Sequence, residues 1–161
     1  MKQPINLPQC PNPKVPQADA PFYHLIPLQI RFNDIDILGH VNNSVYLSFM
    51  DLGKARYFTD VTDQRVELGG LSCAIVNINC NFFSPAYFGE ELQLVTRVSA
   101  VSVHSFKMEQ RVYNPATGDV KCISTSVLAG FDPKTATGLP LPERLIAQLE
   151  DYEQRPLRVS K

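Results

Sequence analysis

Four successive runs of alternating apolar and polar residues follow a single helical segment, and that order constrains the fold of this chain more than any other feature. The runs cover Ala74 to Phe83, Leu92 to Ala100, Phe106 to Val112 and Val120 to Phe131. An earlier run has Leu28, Ile30 and Phe32 on one face and Gln29, Arg31 and Asn33 on the other. A period of two marks a strand with one buried side. On that reading Asp34 and Asp36 continue the apolar phase, and both carboxylates turn inward at the strand's end. Between these runs, residues 43 to 59 carry a helical period: Val45, Phe49, Leu52 and Arg56 form one stripe, and Tyr46, Met50, Gly53 and Tyr57 the next. So few of its positions are polar that this helix is expected to be buried on most sides. Gly53 costs it about 1 kcal/mol relative to Ala, which close packing against a sheet would explain. A turn at Asn114-Pro115-Ala116-Thr117-Gly118-Asp119 separates the last two runs, and Asp132-Pro133-Lys134 closes the last. A short amphipathic helix from about Pro142 to Glu153 ends the pattern. The expected class is α+β, a five-stranded antiparallel sheet wrapped around a long central helix.

At 161 residues the chain is long enough for one domain burying roughly two-thirds of its unfolded surface. Residues 1–22 hold six prolines and no period, and read as an extended Pro-rich arm preceding a domain over 23–161. Fifteen basic residues against sixteen acidic ones give no excess charge to attract nucleic acid or an anionic membrane. No apolar run approaches the eighteen or so residues that a bilayer span needs. The first ten residues have no signal-peptide pattern, so a cytoplasmic location is expected. Cys10, Cys73, Cys80 and Cys122 are widely spaced without a C-x-x-C pair, and free thiols are favoured over a disulfide or zinc site.

Chemistry concentrates in Asp34-Ile35-Asp36-Ile37-Leu38-Gly39-His40-Val41-Asn42-Asn43-Ser44-Val45. An acid here stands beside a helix N-terminus, whose unpaired N–H groups can hold a carbonyl oxygen as it becomes negative. That pairing suits acyl transfer or hydrolysis. Ile35, Ile37 and Leu38 would desolvate the acid. Asp34 reads as structural, holding the loop. Asn42 or Asn43 is suited to N-cap the helix. No G-x-S-x-G elbow offers a serine-hydrolase route.

Gln29-Ile30, Asp36, Gly39, Val41, Ser44 and Tyr46, at this spacing, resemble the hotdog-fold acyl-CoA thioesterases of the 4-hydroxybenzoyl-CoA thioesterase-like family. The His40-Val41-Asn42-Asn43 variant is similar to members acting on fatty-acyl thioesters, and the resemblance covers roughly residues 24–145. It implies hydrolysis of an acyl-CoA, or of an acyl-ACP, without metal or cofactor. It implies Asp36 as general base or nucleophile and the Asn43 backbone N–H as oxyanion donor. Asp51, about two turns into the helix, is an auxiliary acid by analogy with another hotdog branch; a local pairing with Lys54 is its plainer reading. Gly39, His40, Asn42 and Tyr46 are implied to contact substrate. A homodimer or homotetramer is expected, because hotdog sheets join at exposed edges. A non-catalytic acyl-thioester binding module is the alternative in a different class.

Overall fold

The computed structural model describes residues 1–63 and 72–159. Its strands are β1 (His24–Leu28), β2 (Cys73–Phe82), β3 (Leu92–Val101), β4 (Ser105–Tyr113), β5 (Val120–Asp132) and a two-residue β6 (Thr137–Gly138). The helices are α1 (Asn43–Thr62) and α2 (Glu143–Glu153). Five strands form an antiparallel sheet in the order β1-β3-β4-β5-β2, and β6 adds to β5. α1 runs three residues past its expected end and stops where Asp63 turns left-handed at φ 51°.

α1 lies across one face of the sheet and buries Tyr46, Phe49, Met50, Gly53, Lys54, Tyr57 and Phe58. A Cβ on Gly53 would come within 2.4 Å of Leu94 Cδ2 and 2.6 Å of Gln110 Nε2, so glycine allows the helix to seat directly on β3 and β4. The opposite side of α1 is not covered: Leu47 and Leu52 are exposed. That corrects the expectation of a helix buried on most sides. An apolar girth here supplies a core stripe and a second, open stripe.

β1 stops at Leu28, and Phe32–Asp34 forms a 3-10 turn. The alternating phase therefore breaks before it reaches the acids: Phe32 is 82% exposed, Asp34 is buried, and Asp36 is half-buried in the following loop. β2 carries an irregularity between Ile75 and Asn77 that moves its inward phase from Ile75 to Ile78, Cys80 and Phe82.

Lys2 reaches Asp60 of α1 and the Tyr152 ring of α2, and from Ile5 to Phe22 the segment packs on the sheet face away from α1. Val15 and Phe22 pack there with Val95, Tyr113, Val120 and Ile123. Arg97 donates to Ala20 O (2.7 Å), pairs with Asp19 and Glu109, and lies 4.9 Å over the Phe22 ring. Arg111 donates to Pro16 O (2.6 Å) and Glu109 Oε1 (2.7 Å). All four cysteines are free.

Candidate active site

The loop between β1 and α1 is a tight turn closed by an antiparallel bridge between Ile35 and Val41. Asp36 N–H donates to His40 O (3.1 Å), and Gly39 N–H donates to Asp36 O (3.0 Å). Gly39 has φ 85°, a conformation that a residue without Cβ adopts at little cost. Asp36 Oδ1 accepts from Leu38 N–H (2.9 Å) across the turn tip. Ile37 and Leu38 stand out in solvent, 101% and 73% exposed. Within one chain they do not desolvate Asp36, contrary to the expectation from sequence.

Asp34 fixes this loop from below. Its carboxylate accepts from Arg31 N (2.7 Å) and Arg31 Nη2 (3.0 Å), and its carbonyl accepts from Asn42 N (2.9 Å). Burial pushes the Asp34 carboxyl up, but the Arg31 guanidinium and backbone N–H outweigh it and hold it below the usual carboxylate range. Asn42 is the N-cap of α1: Oδ1 accepts from Ser44 N (2.9 Å), and its carbonyl accepts from Val45 N (2.9 Å). Among the described residues the Asn43 N–H has no acceptor, so one of the helix's first donors stays open.

Asn43 also lines a cleft of about 290 Å³, together with His40, Val41, Tyr46, Phe82, Phe83, Ser84 and Pro85. The structure thus brings His40, Asn43 and Tyr46 together with the segment that follows β2. Asp36, Gly39 and Asn42 shape the rim without lining the cleft. His40 Nδ1 lies 3.4 Å from Val41 O. Tyr46 is both core and lining: it is 2% exposed and meets Phe82 edge-on, with centroids 5.3 Å apart. Burial pushes its hydroxyl pKa up, with smaller contributions from Cys122, Glu90 and Asp119. Asp51 stands on the open side of α1, exposed, and pairs with Lys54 Nζ at 3.3 Å.

Sequence reasoning missed the aromatic wall Phe82–Phe83 and its anchor, Lys121. Lys121 Nζ is buried among Pro85 O (3.0 Å), Asp119 Oδ2 (2.9 Å) and Glu90 Oε1 (2.9 Å). Burial lowers its pKa, yet the two carboxylates outweigh that and hold it above the usual lysine value. Ser84 Oγ donates to Asp119 Oδ2 (2.6 Å), and Val41 N–H reaches Ala86 O (2.8 Å), tying this wall to the Asp36 loop. The turn residues Asn114 to Asp119 supplied a legible sign. Around the loop, Phe32, Ile37, Leu38, Tyr87 and Phe88 leave an exposed apolar patch.

Residues 30–149 match the model of the thioesterase-like superfamily, and the chain belongs to that superfamily. At family level this means a thioester hydrolase. The chain is 25% identical over 126 residues to the long-chain acyl-CoA thioesterase FadM of Escherichia coli, covering 76% of this chain and 94% of that one. It is 27% identical over 93 residues to a chloroplastic acyl-acyl carrier protein thioesterase of Arabidopsis thaliana, covering 56% of this chain. It spans 50% of that plant relative's length. A thioesterase from Thermus thermophilus, solved with coenzyme A and Zn, superposes with a TM-score of 0.73 at 29% identity, over 83% of this chain and 96% of that one. A 1,4-dihydroxy-2-naphthoyl-CoA thioesterase from Synechocystis shares the fold at TM-score 0.71 and 16% identity, over 79% and 95%. The sheet wrapped on α1 is a hotdog fold.

Proposed function

We propose that this chain hydrolyses an acyl-CoA thioester to a free carboxylic acid and coenzyme A. The observation that carries this reading is the open N–H of Asn43 at the start of α1, on a residue that lines a cleft beside the Asp36 loop. The thioester carbonyl oxygen accepts from Asn43 N–H, and charge developing on that oxygen is met by a fixed donor at a helix N-terminus. Asp36 either takes a proton from the attacking water or attacks the carbonyl carbon itself. In both routes the carbon–sulfur bond breaks and the thiolate leaves and is protonated. In the first, water supplies the acid's new oxygen. In the second a mixed anhydride forms and water cleaves it at the Asp36 carboxyl carbon, so that Asp36 gives up that oxygen and regains one from water. His40 and Tyr46 border the acyl group, Gly39 and Asn42 hold the turn and the cap, and Asp51 assists as an auxiliary acid. No metal or cofactor enters these steps.

The exposed patch around Asp36 supports a homodimer or homotetramer in which a second copy covers the loop and dries it. Among the described residues no helix is long and apolar enough to cross a membrane, and charge balance favours neither nucleic acid nor lipid as partner. Acyl-ACP is the second reading, favoured by the likeness to the plant relative. Assay of matched acyl-CoA and acyl-ACP, reading released thiol, separates the carriers, and absence of turnover on both would leave only an acyl-thioester binding module. Asp36→Asn is expected to lower kcat by at least about 100-fold with the fold retained. A folded Asp36→Asn protein with near-normal kcat removes the mechanism. A single turnover in heavy-oxygen water distinguishes the routes, since direct attack leaves the first acid released unlabelled.

A further inference from the structure

Four residues cross the α1-facing side of the sheet in one row. Thr96 pairs with Gln110, Gln110 with Ser124, and Ser124 with Cys80 on the outer strand β2. Ser126, the next inward position along β5, lies opposite Met108 and Ile78. Thr96, Gln110, Ser124 and Ser126 are at most 1% exposed. The row parts two apolar clusters, one around Tyr46, Met50, Leu94 and Cys122, the other around Tyr57, Met108, Leu128 and Leu149.

The helix satisfies only one end of this row. Gln110 Nε2 donates to Met50 O (3.0 Å) and Thr96 Oγ1 (3.1 Å) under Gly53. At the other end, Gln110 Oε1, Ser124 Oγ and Ser126 Oγ have no hydrogen-bond partner among the described residues. A buried polar atom without a partner costs about 1–3 kcal/mol, so three such atoms in adjoining positions mark a place for a polar group. The two donated bonds fix the Gln110 amide and leave Oε1 purely an acceptor, while each serine hydroxyl donates and accepts. The complementary group is one that also donates and accepts, namely a hydroxyl.

This position adjoins the cleft. Phe82 lines the cleft, packs on Tyr46 and pairs with Cys122; two residues back along β2, Cys80 pairs with Ser124. Two strand residues advance about 7 Å. An acyl chain passing Tyr46 and Phe82 crosses the small side chains of Cys122 and Ser124 and meets the three oxygens several bonds beyond its carbonyl. We propose that Gln110 Oε1, Ser124 and Ser126 select acyl groups that carry a hydroxyl well down the chain from the thioester. This specificity rests on the acyl-thioesterase reading. Before substrate arrives, water fills the place and is displaced by a hydroxyl that reproduces its bonds.

The test uses the full chain and two ligand series of one chain length, with the hydroxyl moved stepwise along the chain and an unsubstituted member as reference. Non-hydrolysable CoA thioethers report binding by calorimetry, and the matching thioesters report kcat/KM. One hydroxyl position is expected to exceed the plain chain by about tenfold or more in both readouts. Ser124→Ala and Ser126→Ala each remove one unpartnered oxygen, so thermal unfolding is expected to hold while the hydroxyl preference falls towards parity. Equal values at every position, or a preference unchanged in both serine variants, overturns the proposal. Hydroxyl-selective thioether binding without any hydrolysis would remove the hydrolase reading and keep the selectivity. Hydrolysis with no hydroxyl preference would do the reverse.

Discussion

Asn43 acts through its backbone, which makes its contribution separable from its side chain. It occupies the first helical position, where proline is well tolerated and where the N–H has no helical acceptor. Asn42, with φ −62° and ψ 137°, already has the extended conformation that a following proline requires. Asn43→Pro therefore deletes the donor while keeping α1. We expect kcat to fall about 100-fold or more relative to Asn43→Ala, which retains the N–H, with both unfolding at similar denaturant concentrations. Equal kcat in the two variants removes the oxyanion role. His24 is a second isolated case. It is 3% exposed, and burial pushes its imidazole down to about 4, partly offset by Asp60 at 3.8 Å and reinforced by Lys2. The unfolded chain then binds the proton first, near pH 6.5, so stability declines as pH falls from about 6.5 towards 4 and is full above that window. The loss is on the order of 3 kcal/mol. Glu153, also buried nearby, has its carboxyl pushed up by desolvation and titrates with the opposite sign. The check is the difference in unfolding free energy between the native chain and His24→Gln across pH, in which Glu153 cancels. A difference that stays flat below pH 6.5 excludes His24 as the source.

At the level of elements, periodicity carried what local chemistry dictates and lost what tertiary contacts decide. β2 to β5 and both helices were legible because each repeats its period over many residues, whereas the two-residue β6 shows none. The strand ending at Leu28 was not, because Asp34 draws Arg31 N–H and guanidinium into a 3-10 turn and interrupts an alternation that composition alone continues. Gln110 falls in the apolar phase of its strand between Met108 and Val112, which marks a buried polar position, whereas nothing in the run from Val120 to Phe131 sets Ser124 and Ser126 apart. The cap was legible from local chemistry and the candidate acid came only through the family resemblance, while the aromatic wall across the cleft was not legible, since Lys121 and Asp119 hold it through long-range contacts. The Pro-rich arm offered no period at all, yet it packs on the sheet face away from α1. Its seat depends on Gly118, with φ 75° and Gln9 O only 2.2 Å from where a Cβ would stand. Gly118→Ala is expected to lift the segment around Gln9, cost about 1–2 kcal/mol in denaturant unfolding, and make the arm sensitive to brief proteolysis while the sheet survives. An arm as protease-resistant as in the native chain would mean that Arg97 and Arg111 suffice to hold it.

For the whole molecule, the open surfaces lie on connected elements. Among the described residues nothing pairs with the outer edge of β2, where Ile75, Val76, Ile78 and Phe82 are exposed, and α1 leaves Leu47 and Leu52 uncovered. An unpaired strand edge with apolar side chains is a template for another chain, and a two-fold pairing of β2 with its copy satisfies both at once. Such a dimer would bring a second subunit towards the cleft behind Phe82, so assembly and turnover should be linked. Val76→Lys tests this: it sits at the β2 irregularity, 62% exposed, where a lysine is accommodated in the single chain. In a two-fold interface the charge enters twice among apolar side chains, a cost of several kcal/mol and so about two orders of magnitude or more in self-association. Sedimentation should show the native chain as a dimer or tetramer at micromolar concentration and Val76→Lys shifted towards monomer, with kcat/KM recovering as its concentration is raised. A native monomer with full turnover, or a Val76→Lys protein that dissociates without losing activity, would mean that each subunit completes its own site and that the apolar edge serves another contact.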